Sequence, residues 1–321
     1  MISLKRFSQI IGLSIGLLVL LNSCSPQESK AQTAEMNPDL TLTLTSFKKE
    51  YDLGEPVYTR LQLRNSGEKE VSVFPSLNPS EGPLIIKISP QKEDSWQFVP
   101  LSIHDSEEAY ITLNSGDELS ESFPVFFGGN GWTFPRSGAY DLQVIYSLQN
   151  GNRISSNVLT LSINEDKNEG GRILLSGNEG SIEAGKFLIW QSGDHLEAGI
   201  NLLQRLQREF PNSIISQHIK YATALNLAKS FTDYKKGTTR APAPRQALNL
   251  FQELNEELFP PYVRMQRELS MCTQALKLGN IEGAELGIQR ADDLLKNNND
   301  LLNFLPQLDR LKRSLQDVKG N

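Results

Sequence analysis

Three histidines, His104, His195 and His218, are the side chains with the widest capacity for catalysis or metal binding. No two of them share a motif. The segment His104–Glu108 (HDSEE) adds carboxylates, the ligands that Ca²⁺ prefers, but its spacing does not match an EF-hand calcium loop. A solvated acidic turn is therefore favoured over a cation site. No zinc motif, phosphate-binding glycine loop or nucleophile elbow occurs in the sequence, so we predict no catalytic residue and no metal.

The two cysteines, Cys24 and Cys272, are far apart in the chain. If Cys24 is modified at its sulfur, Cys272 has no partner and no internal disulfide forms. Cys272 lies in a segment of helical period. A small packed side chain is favoured there over a reactive thiol.

An aromatic and glycine-rich run, Phe126–Trp132 (FFGGNGW), offers a second kind of chemistry. Exposed aromatic rings bind sugars or peptides, which makes Phe126, Phe127 and Trp132 candidate binding residues with Trp132 as the anchor. A hairpin whose rings close the end of a β-sandwich is favoured over this binding role. The glycines join two sheet segments, so phosphate binding is not expected.

The most basic stretch beyond the N-terminus is Lys235–Arg240 (KKGTTR). It could contact anionic lipid head groups or an acidic partner. A solvated loop is the more common role of such a run.

Length and charge limit the classes of function. The 321 residues are enough for two domains of ordinary size. The net charge is −6, and becomes −8 without Lys5 and Arg6 of an expected signal segment. A nucleic-acid binder would need a basic face, so we expect no nucleic-acid partner.

From Leu40 to Ile163 the hydrophobic pattern has a period of two, with turn signals between short segments. This pattern predicts an antiparallel β-sandwich over residues 39–164. Residues 165–180 are rich in Gly, Asn and Glu and predict a linker, in which Ile173–Leu175 docks as a short helix.

Several motifs of this β region resemble bacterial immunoglobulin-like domains. They are LGEPV followed by LQLRNSG, then LNSGDELSESF, FPRSGAYDLQVIY and SSNVLTLSI. The resemblance implies an immunoglobulin-like sandwich in which Tyr140 is the corner tyrosine, its hydroxyl bonded back to the main chain. The bridging cysteines of antibody domains are absent.

From about residue 181 to 321 the hydrophobic period becomes helical. Asp194 with Glu197 predicts a capping box, and Gly279 predicts a helix C-cap. The spacing of Gly279, Ala284, Ile288 and Ala291 resembles the second helix of a tetratricopeptide repeat, although the usual tryptophan and tyrosine positions are not met. The resemblance implies a degenerate array of helical hairpins whose concave face binds a partner.

The N-terminus combines Lys5 and Arg6 with an apolar run, Ile10–Leu21, that is too short to span a bilayer. We predict a signal peptide over residues 1–23. Leu21–Cys24 (LNSC) resembles a bacterial lipobox, which implies covalent lipid on Cys24, no other cofactor, and a flexible tether over residues 24–38. Ser25 replaces the aspartate associated with inner-membrane retention, so the outer membrane is favoured.

Together these features predict a lipid-anchored, non-catalytic protein of the bacterial cell envelope. Its partners would be the membrane, through lipid, and another envelope protein; the oligomeric state stays open. The alternatives are a proteinase-inhibitor-like sandwich that presents the Phe126–Trp132 loop, a carbohydrate-binding accessory module, and an enzyme of unrecognised type.

Overall fold

The computed structural model describes residues 40–91, 93–104, 109–165 and 169–320. All of them belong to one compact unit. The predicted signal peptide, Cys24, the tether and the acidic residues 105–108 lie outside the described residues.

The β part begins the described chain, and its strands are short, as the turn signals predict. They are β1 (Leu40–Ser46), β2 (Glu50–Asp52), β3 (Tyr58–Asn65), β4 (Val71–Val73), β5 (Leu84–Pro90), β6 (Trp96–Phe98), β7 (Ile111–Leu113), β8 (Glu118–Pro124), β9 (Phe127–Gly128), β10 (Gly131–Trp132), β11 (Gly138–Ser147), β12 (Arg153–Ser155) and β13 (Leu159–Asn164).

Two sheets form the sandwich. One has the strand order β1-β3-β8, and the other has β2-β13-β11-β5-β6, with β12 pairing the end of β11. All pairs are antiparallel except β2 with β13. This order is that of an immunoglobulin-like sandwich, in which the first strand divides between the two sheets. The predicted fold of the β part is therefore confirmed at this level.

The long central strand β11 shows how the sequence forms the core. Its alternate residues Tyr140, Leu142, Val144 and Tyr146 are buried, because successive side chains of a strand point to opposite faces. The Tyr140 hydroxyl donates to the Arg136 carbonyl at 2.9 Å, which confirms the tyrosine corner.

The rest of the chain is helical apart from one hairpin. The helices are α1 (Gly170–Leu174), α2 (Glu179–Trp190), α3 (Glu197–Glu209), α4 (Ile214–Leu227), α5 (Pro244–Gln252), α6 (Pro261–Lys277), α7 (Ile281–Asn297) and α8 (Leu305–Gly320), with 3-10 turns at Glu256–Leu258 and Asn299–Phe304. The hairpin consists of β14 (Phe231–Asp233) and β15 (Thr238–Arg240). Among the described residues, none of the helices has the length and apolar character needed to cross a bilayer.

The helices pack in successive pairs, α2 with α3, α4 with α5, and α6 with α7, while α8 covers the last pair. The small residues predicted between α6 and α7 allow close approach: Ala284 and Ala291 are fully buried, and a Cβ on Gly287 would lie 3.1 Å from that of Cys272. Gly279 has a φ of 69°, as expected for a C-cap. The chain is thus a β part followed by helical hairpins.

The predicted capping box at Asp194 is wrong. Helix α3 begins at Glu197, and its N-cap, Leu196, makes no side-chain hydrogen bond. Asp194 instead accepts a hydrogen bond from Arg240 Nε at 2.5 Å, and Glu197 pairs with Lys236. Both acids therefore hold the β14–β15 hairpin, a partner that local spacing does not reveal.

The sandwich and the first helices share one hydrophobic core. The Tyr58 ring of β3 stacks on His218 of α4 and contacts Tyr262 of α6. Near the end of the chain, Asp300 accepts a hydrogen bond from Ser122 of β8 at 2.6 Å. The helical part is therefore packed directly on the sandwich.

Candidate functional site

The predicted aromatic loop is not exposed. Phe126 and Phe127 are buried, with 3% and 1% of their surface accessible, and Trp132 is half-buried. Helix α2 covers them at Gly185, where an added Cβ would lie 2.2 Å from the Phe127 ring. The indole of Trp132 donates to Ser181 Oγ at 3.1 Å. The rings join the sandwich to α2, which agrees with the favoured hairpin, and the less favoured candidate role of Phe126, Phe127 and Trp132 as an exposed binding loop is wrong.

Of these three aromatic residues, only Trp132 has a face that is accessible to solvent. With Trp96 and Phe98 it lines a cleft of about 300 Å³ beside the edge strand β6. The size suits one small ligand.

The surroundings of the remaining candidates, Cys272 and the described histidines, indicate a structural role. Cys272 is fully buried, and burial raises the pKa of its thiol to about 11, which makes it unreactive at neutral pH. His195 is exposed and stacks on Phe231. Burial lowers the pKa of His218 to about 3, so this imidazole is neutral.

The basic stretch is a hairpin rather than a free loop. Lys236 and Arg240 are paired with carboxylates of the helical part, while Lys235 is exposed. Most of its charge is therefore engaged within the protein.

A larger cavity of about 490 Å³ lies between α4, α6 and α8. We call it the amide groove, because glutamines and hydroxyl side chains form much of its wall. It is lined by Gln191, Leu225, Ala228, Lys229, Ser230, Pro242, Gln266, Ser270, Thr273, Gln274, Lys277, Phe304 and Gln307.

Helix α6 supplies the central wall of the amide groove. Its polar residues Gln266, Ser270, Thr273, Gln274 and Lys277 recur every three or four positions and so lie along one face of the helix. The opposite face carries buried apolar residues such as Leu269 and Cys272. The 3.6-residue period therefore divides α6 between core and groove.

Hydrogen bonds fix the groove wall before any ligand arrives. The Tyr221 hydroxyl donates to Gln266 Oε1 at 2.6 Å, and Gln266 Nε2 donates to the Tyr262 hydroxyl at 3.1 Å. Burial raises the pKa of both tyrosines, so their hydroxyls stay protonated. Gln266 is thus held in one orientation.

Two lysines give the amide groove a positive charge. Lys277 makes long contacts of 3.4 Å to the Ala228 carbonyl and to Gln274 Oε1. Within the described part of the chain, neither Lys277 nor Lys229 lies within 4.0 Å of a carboxylate. Desolvation by the groove walls lowers the pKa of Lys229. An anionic group placed between them would gain attraction without displacing an internal carboxylate.

The groove therefore presents hydrogen-bond donors, hydrogen-bond acceptors and positive charge, which are groups that bind a ligand. Over the residues that the structure covers, no three His, Cys, Asp or Glu side chains are grouped to hold a metal ion. Our sequence reasoning missed the groove, although its signal was present as a polar stripe along α6. The partners from α4 and α8 could not be assigned without the fold.

No family model matches the chain, and no curated protein matches its sequence. Solved structures similar to its β part include the CARDB domain of the PF1109 protein from Pyrococcus furiosus. It is 14% identical with a TM-score of 0.21, and the match covers 39% of this chain and 94% of that domain.

Two further neighbours are larger proteins. A β-glucosidase from Listeria innocua is 12% identical with a TM-score of 0.24, over 39% of this chain and 16% of the enzyme. The sporulation control protein Spo0M from Bacillus subtilis is 10% identical with a TM-score of 0.26, over 43% and 54% of the two chains. The immunoglobulin-like character of the β part is shown by its strand order.

Proposed function

We propose that the protein is a lipid-anchored, non-catalytic binding protein of the bacterial cell envelope that captures an extended, acidic polypeptide segment in the amide groove. The helical part acts as a degenerate tetratricopeptide-like array, and covalent lipid on Cys24 holds the protein at the membrane. The observation that carries the proposal is the polar stripe of α6 between two lysines without a carboxylate partner.

The groove wall suits a polypeptide main chain. Each glutamine side chain offers a carbonyl acceptor and an amide donor, the same two groups that a peptide unit carries. An extended segment presents these groups at regular intervals, so the exposed Gln307 can pair with it as one peptide unit pairs with another. Hydrogen bonds to the main chain of the bound segment contribute affinity and do not require a particular peptide sequence.

Charge supplies the selectivity. Lys229 and Lys277 favour a segment with an acidic side chain or a terminal carboxylate, and they disfavour a basic one. Exposed cations attract a ligand from a distance, so association weakens as salt rises.

The groove can be tested by panning short random peptides against the full chain. We expect enrichment of acidic segments whose affinity falls about tenfold or more in the double variant Lys229→Ala/Lys277→Ala. The matched control is Lys235→Ala/Lys319→Ala, which removes the same charge from exposed positions. Equal binding to the double variant and the control, or enrichment of basic peptides, contradicts the proposed ligand.

The anchor has its own test. Substituting Cys24→Ala should move the protein from the membrane fraction to the soluble fraction, because the acyl chains supply the attachment. The control is Cys272→Ala, which removes the buried thiol and leaves Cys24 in place. Continued membrane retention of the Cys24 variant would refute the lipid anchor.

A second candidate function is sugar binding in the cleft beside Trp132, favoured by the two indole rings that line it. A glycan array probed with the full chain and with Trp96→Ala tests it. The proteinase-inhibitor alternative needs an exposed loop, and the burial of Phe126 and Phe127 removes that support.

A further inference from the structure

The cleft beside β6 is lined by four consecutive residues, Trp96, Gln97, Phe98 and Val99. Successive residues of a strand point to opposite faces of the sheet, so a cleft on one face would be lined by every second residue. Contact with all four residues therefore places the cleft along the free edge of β6, in the plane of the sheet. We call it the edge cleft.

The main-chain groups of Gln97 point into the edge cleft. In an antiparallel sheet, the hydrogen bonds of a strand alternate between its two sides from one residue to the next. The Val99 carbonyl accepts from the Gly129 N–H at 2.8 Å, on the side away from β5. Gln97, two residues earlier, therefore faces that same side with its N–H and its carbonyl, while Trp96 and Phe98 bond to β5.

The register of β5 agrees with this orientation. The Gln91 N–H, just beyond β5, donates to the Ala139 carbonyl of β11 at 3.1 Å, which assigns the odd-numbered positions of β5 to β11. The even-numbered positions then bond to β6, and they lie opposite Trp96 and Phe98. Gln97 is thus left to face outward.

This outward pair of groups is free. Within the described chain, neither the N–H nor the carbonyl of Gln97 has a hydrogen-bond partner. The β9–β10 hairpin reaches the edge at Val99 and leaves position 97 open. Because β6 begins at Trp96, an added strand would pair with the edge at one residue only. The edge cleft therefore suits a small molecule better than an extended segment.

The protein itself shows what satisfies such a pair of groups. On the edge strand β1, the Leu44 N–H donates to Asn157 Oδ1 at 2.8 Å, and Asn157 Nδ2 donates to the Leu44 carbonyl at 3.0 Å. A primary carboxamide can make both bonds because its oxygen and one of its N–H groups lie on the same side. The two groups of a trans peptide unit point in opposite directions, so a single peptide unit cannot do so.

The side walls define the rest of the ligand. Trp96, Phe98 and Trp132 line the edge cleft, and aromatic side chains favour a flat apolar body by stacking. None of the residues that line the cleft is charged, so a charged ligand would lose hydration without gaining a partner. The volume of about 300 Å³ holds one small molecule.

We propose that the edge cleft binds a small neutral molecule that carries a primary carboxamide on an aromatic ring. The carboxamide oxygen accepts from the Gln97 N–H, one carboxamide N–H donates to the Gln97 carbonyl, and the ring packs against the aromatic side chains. This ligand class goes beyond the sugar that is the second candidate for the same cleft, and the titration below separates the two.

The test is titration of the full chain with benzamide, methyl benzoate, the methylamide of acetylglutamine and methyl glucoside. Tryptophan fluorescence reports binding, since two of the three tryptophans line the cleft. We expect benzamide to bind about tenfold or more tightly than methyl benzoate, which keeps the carbonyl and loses the N–H donors.

Each other outcome overturns the proposal. Equal binding of benzamide and methyl benzoate, or no binding of benzamide, contradicts pairing with the Gln97 carbonyl. Binding of the glucoside alone also overturns it and leaves the sugar candidate standing. Tighter binding of the acetylglutamine compound assigns the cleft to a glutamine side chain of a protein instead of a small molecule.

Two variants of one residue separate the main chain from the side chain. Gln97→Pro removes the N–H that faces the cleft, at an outward-facing edge position where proline is tolerated, and should weaken benzamide about tenfold. The matched control Gln97→Ala keeps the N–H and should bind benzamide as the wild type does. An equal loss in both variants contradicts the main-chain assignment. If Gln97→Pro does not fold, a wild-type ratio of benzamide to methyl benzoate near unity overturns the proposal by itself.

Discussion

Replacing His218 by phenylalanine should remove a pH-dependent loss of stability. His218 is 3% exposed, packed between the rings of Tyr58 and Phe259 where α4 meets the sandwich. Burial lowers its pKa from 6.5 to about 3, and the positive charge of Lys48 adds to this effect. The folded protein therefore holds a neutral imidazole under conditions in which the unfolded chain takes up a proton.

The sign and the size of this loss of stability follow from the linkage between folding and proton binding. Above about pH 6.5 both states are neutral and His218 adds no pH dependence. Between about pH 6.5 and pH 3 the unfolded chain binds one more proton, so the free energy of unfolding decreases as pH falls. At about pH 5 the loss is about 2 kcal/mol, because each pKa unit is worth about 1.36 kcal/mol. Full loss would be reached only near the folded pKa.

Urea unfolding followed by tryptophan fluorescence at about pH 7 and about pH 5 measures the effect. The drop in unfolding free energy between the two values should be about 2 kcal/mol smaller in His218→Phe than in the wild type. Other groups that titrate, including the buried Glu55 beside Lys48, cancel in this difference. His104→Asn, on an exposed loop, controls for removal of a histidine. An equal drop in both proteins would show that His218 is not held neutral.

Three further substitutions test the contacts between elements, each by urea unfolding at about pH 7. Gly185→Ala should destabilise by about 1–3 kcal/mol, because its Cβ would overlap the phenyl ring beneath α2, whereas Gly320→Ala, with open space around it, should not destabilise. Tyr140→Phe should cost about 0.5–1.5 kcal/mol by removing one hydrogen bond, and no loss would deny the corner its stabilising role. Asp300→Ala should cost about 1.5–3 kcal/mol, because it removes the charged acceptor of the buried Ser122 hydroxyl. The double variant with Ser122→Ala should cost less than the sum of the single changes.

Local patterns of the sequence predicted much of the architecture. The change from period two to helical period separates the strands, which end with β13 at Asn164, from the helices that follow, because alternation and 3.6-residue spacing are each visible within one element. The same holds for the helix at Ile173, the corner at Tyr140 and the C-cap at Gly279. Each of these depends on residues close together in the chain.

The incorrect predictions concern contacts between residues that are far apart in the chain. Asp194 pairs with Arg240, 46 residues away, and this ion pair outweighs the local capping spacing. The burial of Phe127 depends on Gly185, since only a residue without a side chain lets α2 approach the ring. Glu256, in the 3-10 turn before α6, meets Arg290 of α7 only through the fold. Long-range pairs of this kind cannot be derived from a single sequence.

The position of the amide groove follows from how the sandwich is packed against the helices. The sandwich contacts the first halves of α4 and α6, at His218 and Tyr262, and it therefore occupies part of the face that a free repeat array would offer to a partner. The groove residues lie further along the same helices, at Leu225 in α4 and from Gln266 to Lys277 in α6. Tyr262 takes part in both, since its ring contacts Tyr58 and its hydroxyl accepts from Gln266. A ligand that binds Gln266 in this arrangement therefore also favours the packed state of the sandwich, and binding in the groove should raise the stability of the whole compact unit.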